Sequence, residues 1–175
     1  NISSSSCVVM KKISLGRIKS IKSYLGENDE EFNYDYALID IDDMALLSQT
    51  ALATTDKTYF VTAFDLYSLK KGVEILGSIK NPLRLTKIYF TKTFYNEEDE
   101  YLEFLALGKK VIWNDKIIYF PVENGDETAI SENQRLGKIK FKNLSTDYKE
   151  GIVNLASDIS GEKARRIKDM FKYLK

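Results

Sequence analysis

Apolar and polar positions along the chain switch period several times, and each switch predicts an element. Tyr36 to Ile39 reads Tyr-Ala-Leu-Ile without a polar break, as in a strand covered on both faces, and Asp40, Asp42 and Asp43 follow where such a strand leaves a sheet. Thr-Tyr-Phe-Val-Thr within residues 57–63 predicts a second buried strand, and Ile-Tyr-Phe within 87–91 a third. Val111-Ile-Trp113 and Ile117-Ile-Tyr-Phe120 flank Asn114-Asp115-Lys116, which reads either as a small hairpin or as a strand with an extended approach. Pro121 ends that segment. Cys7 to Met10 reads as a short strand or the remnant of a longer element.

Between these runs the period lengthens to that of a helix. Ile18, Ile21 and Leu25 recur at helical spacing before Gly26, and residues 44–53 predict a further helix. Asp65 is placed to cap a helix striped by Leu66, Leu69, Val73, Leu76 and Ile79, which Asn81-Pro82 stops. Glu97 to Glu100 put negative charge at the start of a helix running to Leu107, as the macrodipole favours, with Gly108 beyond it. Residues 126–133 predict a short helix and 137–142 an extended piece. Ser145 then caps a helix striped by Tyr148, Ile152, Leu155 and Ile159, and Gly161 separates it from a last helix over 162–175.

Helices alternating with strands predict an α/β domain with a mainly parallel sheet, helices on both faces and right-handed crossovers. The expected division is a lead-in over residues 1–12, the α/β domain over 13–160, and a basic amphipathic helix over 161–175.

Composition narrows the chemistry. At 175 residues the chain suits one domain. Lys plus Arg and Asp plus Glu are 26 each, so no global field draws nucleic acid, and any basic partner surface must be local. The chain has no histidine, which removes the usual general base and every Ser-His or Cys-His nucleophile pair. A single cysteine excludes an internal disulfide and a zinc cluster and suits a reducing cytoplasm. No apolar run approaches the roughly 18 residues of a spanning helix. The residues themselves leave Asp40 open: it is a cation ligand at the carboxyl edge of a sheet, or a carboxylate that caps or fixes the following loop.

With the strands placed, the chain resembles the C-terminal half of a ParA/MinD-type ATPase, a deviant P-loop group that positions plasmids, division sites and pilus, flagellar or secretion machinery. Tyr34-Asp35-Tyr-Ala-Leu-Ile-Asp40 is similar to the family's acidic strand. Thr62-Ala63-Phe64-Asp65 with Ser68-Leu69 resembles its next strand and helix. Thr91-Lys92 stands where the family has a pair beside adenine, and Pro121-Val122-Glu123 resembles the segment that closes over the base. The resemblance implies ATP and magnesium as cofactors, Asp40 on the magnesium or its water shell, a homodimer controlled by nucleotide, and a protein partner. Two features depart from the family. No Gly-x-x-x-x-Gly-Lys-Ser/Thr loop occurs in the sequence, and Ile41-Asp42-Asp43 replaces the usual Thr/Ser-Pro after the strand aspartate. The expectation is therefore a chain inactive by itself, either because the phosphate loop lies outside it or because it is a catalytically dead scaffold or interaction module of the same fold.

The last helix offers a second site. Ile167, Met170, Phe171 and Leu174 form an apolar stripe bordered by Lys163, Arg165, Arg166 and Lys168. MinD-like proteins are similar in ending on a basic amphipathic helix, so the resemblance implies peripheral attachment to an anionic membrane surface at the inner face of the cell. Ordinary packing on the sheet is the competing reading. A receiver domain phosphorylated on Asp40 is a further alternative, with Thr62 and Lys92 in the accompanying roles.

Overall fold

The computed structural model describes residues 6–12, 36–41, 55–63, 65–91, 96–138 and 140–172. The helices expected before Gly26 and at 44–53, Asp42, Asp43, Lys92 and Leu174 lie outside the described residues.

Five strands, β1 (Ser6–Lys12), β2 (Tyr36–Ile41), β3 (Lys57–Ala63), β4 (Leu83–Thr91) and β5 (Val111–Pro121), form one sheet in the order β2-β1-β3-β4-β5. Its helices among the described residues are α1 (Leu66–Gly77), α2 (Asn96–Leu105), α3 (Asp126–Leu136), α4 (Thr146–Ser160) and α5 (Ala164–Phe171). β3, β4 and β5 are parallel neighbours joined through α1 and α2, which makes this an α/β fold. β1 runs antiparallel to both β2 and β3. A short apolar run carries no direction of its own, so the sequence pattern placed this strand without orienting it.

Alternation along β3 feeds two cores. Phe60 joins Leu69, Leu76, Leu85, Tyr89 and Leu102 on one face, while Tyr59 joins Ile88, Ile118, Phe120, Leu144 and Tyr148 on the other. The stripe of Ile152, Leu155 and Ile159 on α4 packs against the second core. There Gly151 lies so close to β5 that a Cβ on it would meet the Tyr119 carbonyl oxygen at 2.6 Å and a Phe120 ring carbon at 2.9 Å. The missing side chain is what lets the helix approach the strand.

Asp65 caps α1 as its position suggests, Oδ1 accepting the Ser68 N–H at 2.8 Å and Oδ2 its hydroxyl at 2.5 Å. The helix ends at Gly77, before Asn81-Pro82, and Ile79 still reaches the core. The segment 111–121 is one strand and not a hairpin. Leu85 pairs with Trp113 and Lys87 with Ile117, so Thr86 faces three residues, Asn114 to Lys116, and the outer strand bulges by two. Asn114 Nδ2 anchors the bulge to the Thr86 hydroxyl at 2.7 Å. Residues 137–142 are not a simple extended piece. Gly137 ends α3 at φ 60°, Asn133 Oδ1 accepts the Lys140 N–H at 3.0 Å, and a 3-10 turn follows at Phe141–Asn143. Side-chain clamping by Asn133 draws the chain back onto the helix it has just left.

One charge sits inside the first core. Lys87 is 2% exposed, yet its Nζ lies 2.6 Å from Asp99 and 2.6 Å from Glu103 on α2, and 5.3 Å from the centre of the Trp113 ring. Tyr89 donates to the same Asp99 oxygen at 2.5 Å. These contacts supply the partners without which an interior ammonium would be prohibitively costly.

Candidate functional site

Parallel pairing brings the carboxyl ends of β3, β4 and β5 to one edge of the sheet, where α/β proteins hold ligands. Thr91 pairs with Pro121, and the Val122 N–H donates to the Thr91 carbonyl at 2.8 Å, so the two outer strands leave the sheet tied together. Thr91 and Pro121 are buried, Val122 is half-buried and Glu123 is exposed. Four of the residues that the sequence singled out at the base position thus stand together.

Asp40 does not join them. It pairs with Val8, which on its other side faces Tyr59, which in turn pairs with Thr86. Thr91 lies five residues beyond Thr86, about 16 Å along the strand, and three strand spacings, about 14 Å, to the side. Thr62, the threonine of the receiver reading, is three residues above that level, buried, and donates its hydroxyl to the Ala63 carbonyl at 3.0 Å. Among the described residues no cluster of three or more His, Cys, Asp or Glu is placed to hold a metal ion.

Asp126, expected only as a helix start, fixes the edge. Its Oδ2 accepts the Glu123 N–H at 2.9 Å and the Ser145 hydroxyl at 2.7 Å, and Oδ1 accepts the Ser145 N–H at 2.7 Å. The side chain is 2% exposed. Burial pushes its pKa upward, but the hydrogen bonds from Ser145 and Glu123, helped by the field of Lys149, outweigh that and hold the carboxyl below its ordinary value. Ser145 in turn accepts the Tyr148 N–H at 3.1 Å as the cap of α4, so one carboxylate couples the β5 exit to two helix starts.

A polar cleft of about 470 Å³ opens at the opposite, amino edge. Asp158 near the end of α4 receives the Tyr59 hydroxyl at 2.6 Å, Lys116 at 2.9 Å and Lys57 at 3.2 Å; Lys57 also bonds the Asp158 carbonyl. Burial raises the Asp158 pKa, and the bonds from Tyr59, Lys116 and Lys57 more than reverse this, leaving it lowered. The Tyr59 phenol is pushed well above its usual range, first by burial and then by Asp158. With every arm of the carboxylate engaged, this network reads as a clasp between α4, β3 and the β5 bulge.

On α5, Ile167 is buried and the Phe171 ring lies 4.8 Å from that of Phe141. Both take part in packing, and Met170 alone of the described stripe is mainly exposed, at 58%. Lys163 is the N-cap, Arg165 is exposed, Arg166 pairs with Glu162 at 2.8 Å and Lys168 with Glu150 at 2.7 Å. Among the described residues no helix is long and apolar enough to cross a membrane. Comparison of the chain with protein-family models, curated proteins and solved structures finds no match in any of the three.

Proposed function

We propose that this chain forms the base-binding side of a ParA/MinD-like positioning module, in which ATP and magnesium control a homodimer that engages a protein partner and its cargo. The observation that carries this reading is the bond from the Val122 N–H to the Thr91 carbonyl, which holds Thr91, Pro121, Val122 and Glu123 together at the carboxyl edge. The N–H groups of Val122 and Glu123 are already spent, on Thr91 and Asp126. Such an edge suits adenine, whose exocyclic amino group donates and whose face can lie on Val122. No phosphate-cradling loop occurs in the sequence, so nothing holds the triphosphate end strongly and turnover is not expected of this chain alone.

Amide NMR during titration with magnesium ATP, and separately with magnesium UTP, tests the reading. Millimolar ATP shifts Thr91, Val122 and Glu123 selectively, UTP does not, and no phosphate is released. Equal responses to both nucleotides, or silence at this edge, refutes it; rapid hydrolysis abolished by Asp40→Ala refutes the claim of inactivity.

A second reading, an interaction scaffold of the same fold, is favoured by the outer face of α2 and the turn after it. There Tyr101, Phe104 and Leu107 are 45%, 65% and 71% exposed at helical spacing. A scaffold would lose its partner on Phe104→Ser and be indifferent to ATP.

A further inference from the structure

The overall charge of the chain is zero, yet folding gathers lysines from three separate segments around one groove. The groove, about 1010 Å³, lies between the 3-10 turn, α4 and α5. Its apolar lining residues are the half-buried Phe141 and Phe171, with Val153 almost wholly buried beneath. Lys140 and Lys142 come from the 3-10 turn, Lys149 from α4, and Lys168 and Lys172 from α5 and its C-cap. Glu150 is the single acidic residue among the lining side chains.

The lysines are unevenly neutralised. Lys168 pairs with Glu150 at 2.7 Å, Lys172 with Asp169 at 2.8 Å and Lys140 with Glu132 at 3.5 Å. Lys142 and Lys149 are in no ion pair among the described residues, although Lys149 acts on Asp126 at longer range. The turn and α4 sides of the groove therefore each carry a lysine outside any ion pair among the described residues, beside the Phe141 ring.

From this we infer that the groove is a docking site for an acidic amphipathic helix of a partner protein. Its apolar ridge lies on Phe141 and Phe171, and its carboxylates meet Lys142 and Lys149. Two features favour a helix over a membrane surface. The apolar atoms line a concave trough, whereas a bilayer needs a protruding apolar face, and Ile167 of α5 is already buried. The trough is bounded by residues spaced along one face of α4, Thr146, Lys149, Glu150 and Val153, as in helix-in-groove recognition. Opposite charge along the banks sets orientation and speeds encounter. This inference is independent of nucleotide binding at the carboxyl edge.

The test uses the full chain and a fluorescent peptide of about 15 residues, long enough to be helical when held, with leucine at every third or fourth position and glutamate between. A scrambled peptide of equal composition and phosphatidylglycerol vesicles serve as the other arms. The amphipathic peptide binds at least tenfold more tightly than the scrambled one, weakens as salt rises, and shifts the amides of Val153 and Phe171. Lys142→Glu, at an exposed position, lowers its affinity severalfold, and Lys142→Glu with Lys149→Glu lowers it at least tenfold. Lys142→Arg with Lys149→Arg retains binding. Equal binding of the two peptides, or no effect of the charge reversal, overturns the inference. So does sedimentation with vesicles that the reversal abolishes while the peptide fails to bind.

Discussion

Asp126 and Ser145, nineteen residues apart, meet through two hydrogen bonds of 2.7 Å, one from the serine N–H and one from its hydroxyl. The pairing is local neither to the strand nor to a helix, and it fixes the geometry of the candidate edge. Replacing Asp126 by Ala leaves the Glu123 and Ser145 donors without their acceptor. The expected loss is about 2–4 kcal/mol, from several buried donors left unmet at once. Urea unfolding measures the loss, and amide exchange at Glu123 and Ser145 should accelerate more than at Phe60.

The acid and alkaline limbs of stability have opposite origins. Asp126 and Asp158 have folded pKa values below their unfolded value of 3.8, so their contribution is complete above that pH and is lost as pH falls through the lower folded values. Tyr59 and Tyr89 are raised above their unfolded value of 10.0, by burial first and then by Asp158 and Asp99 respectively. The unfolded chain therefore loses these protons first, and stability declines as pH rises beyond 10.0. Thermal unfolding from pH 2 to 11 should show both limbs. Asp126→Asn should shallow the acid one, and Tyr89→Phe the alkaline one.

The Lys87 cluster predicts unequal costs for its two acids. Asp99 is 18% exposed and holds both Lys87 and Tyr89, whereas Glu103 is 50% exposed. Asp99→Ala should cost about 3 kcal/mol, the scale of breaking an interior pair. Glu103→Ala should cost under about 1 kcal/mol, because solvent screens its interaction. A chemical denaturation series decides, and equal costs would show that the exposure of Glu103 does not weaken its hold on Lys87.

Gly151→Ala sets helix propensity against space. Alanine gains about 1 kcal/mol inside a helix, but the added carbon would sit 2.6 Å from a strand carbonyl that cannot rotate away. Displacing α4 should dominate, for a net loss of about 1–3 kcal/mol. Calorimetry should show a lower Tm with the secondary-structure content unchanged.

The fold was legible where local chemistry decides it. The strand Lys57–Ala63, the caps Asp65 and Ser145, and the stripe on α4 all follow from alternation, side-chain acceptors and period. β4 begins earlier than its apolar centre indicated, because Leu83-Arg-Leu alternates polarity directly after Pro82. The direction of β1 and the bulge in β5 depend on neighbouring strands and leave no periodic trace. At the candidate site, Thr91 and Pro121 to Glu123 were singled out by resemblance to a family, while Asp126 was passed over as an ordinary helix start. Lys87 did carry a signal: a lysine within Leu-Thr-Lys-Ile-Tyr-Phe can be buried only with an anionic partner. Contacts such as Tyr59 with Asp158, 99 residues apart, have no counterpart in sequence spacing.

The two-residue excess in β5 also governs how this molecule behaves among its own copies. β5 is the outermost of the described strands on its side, and a flat run of Ile112, Trp113, Ile117 and Ile118 there would template stacking of further chains into fibrils. The bulge, at which Asp115 and Lys116 are exposed, interrupts that template at its midpoint, so the same distortion that anchors Asn114 also works against edge-to-edge stacking of copies.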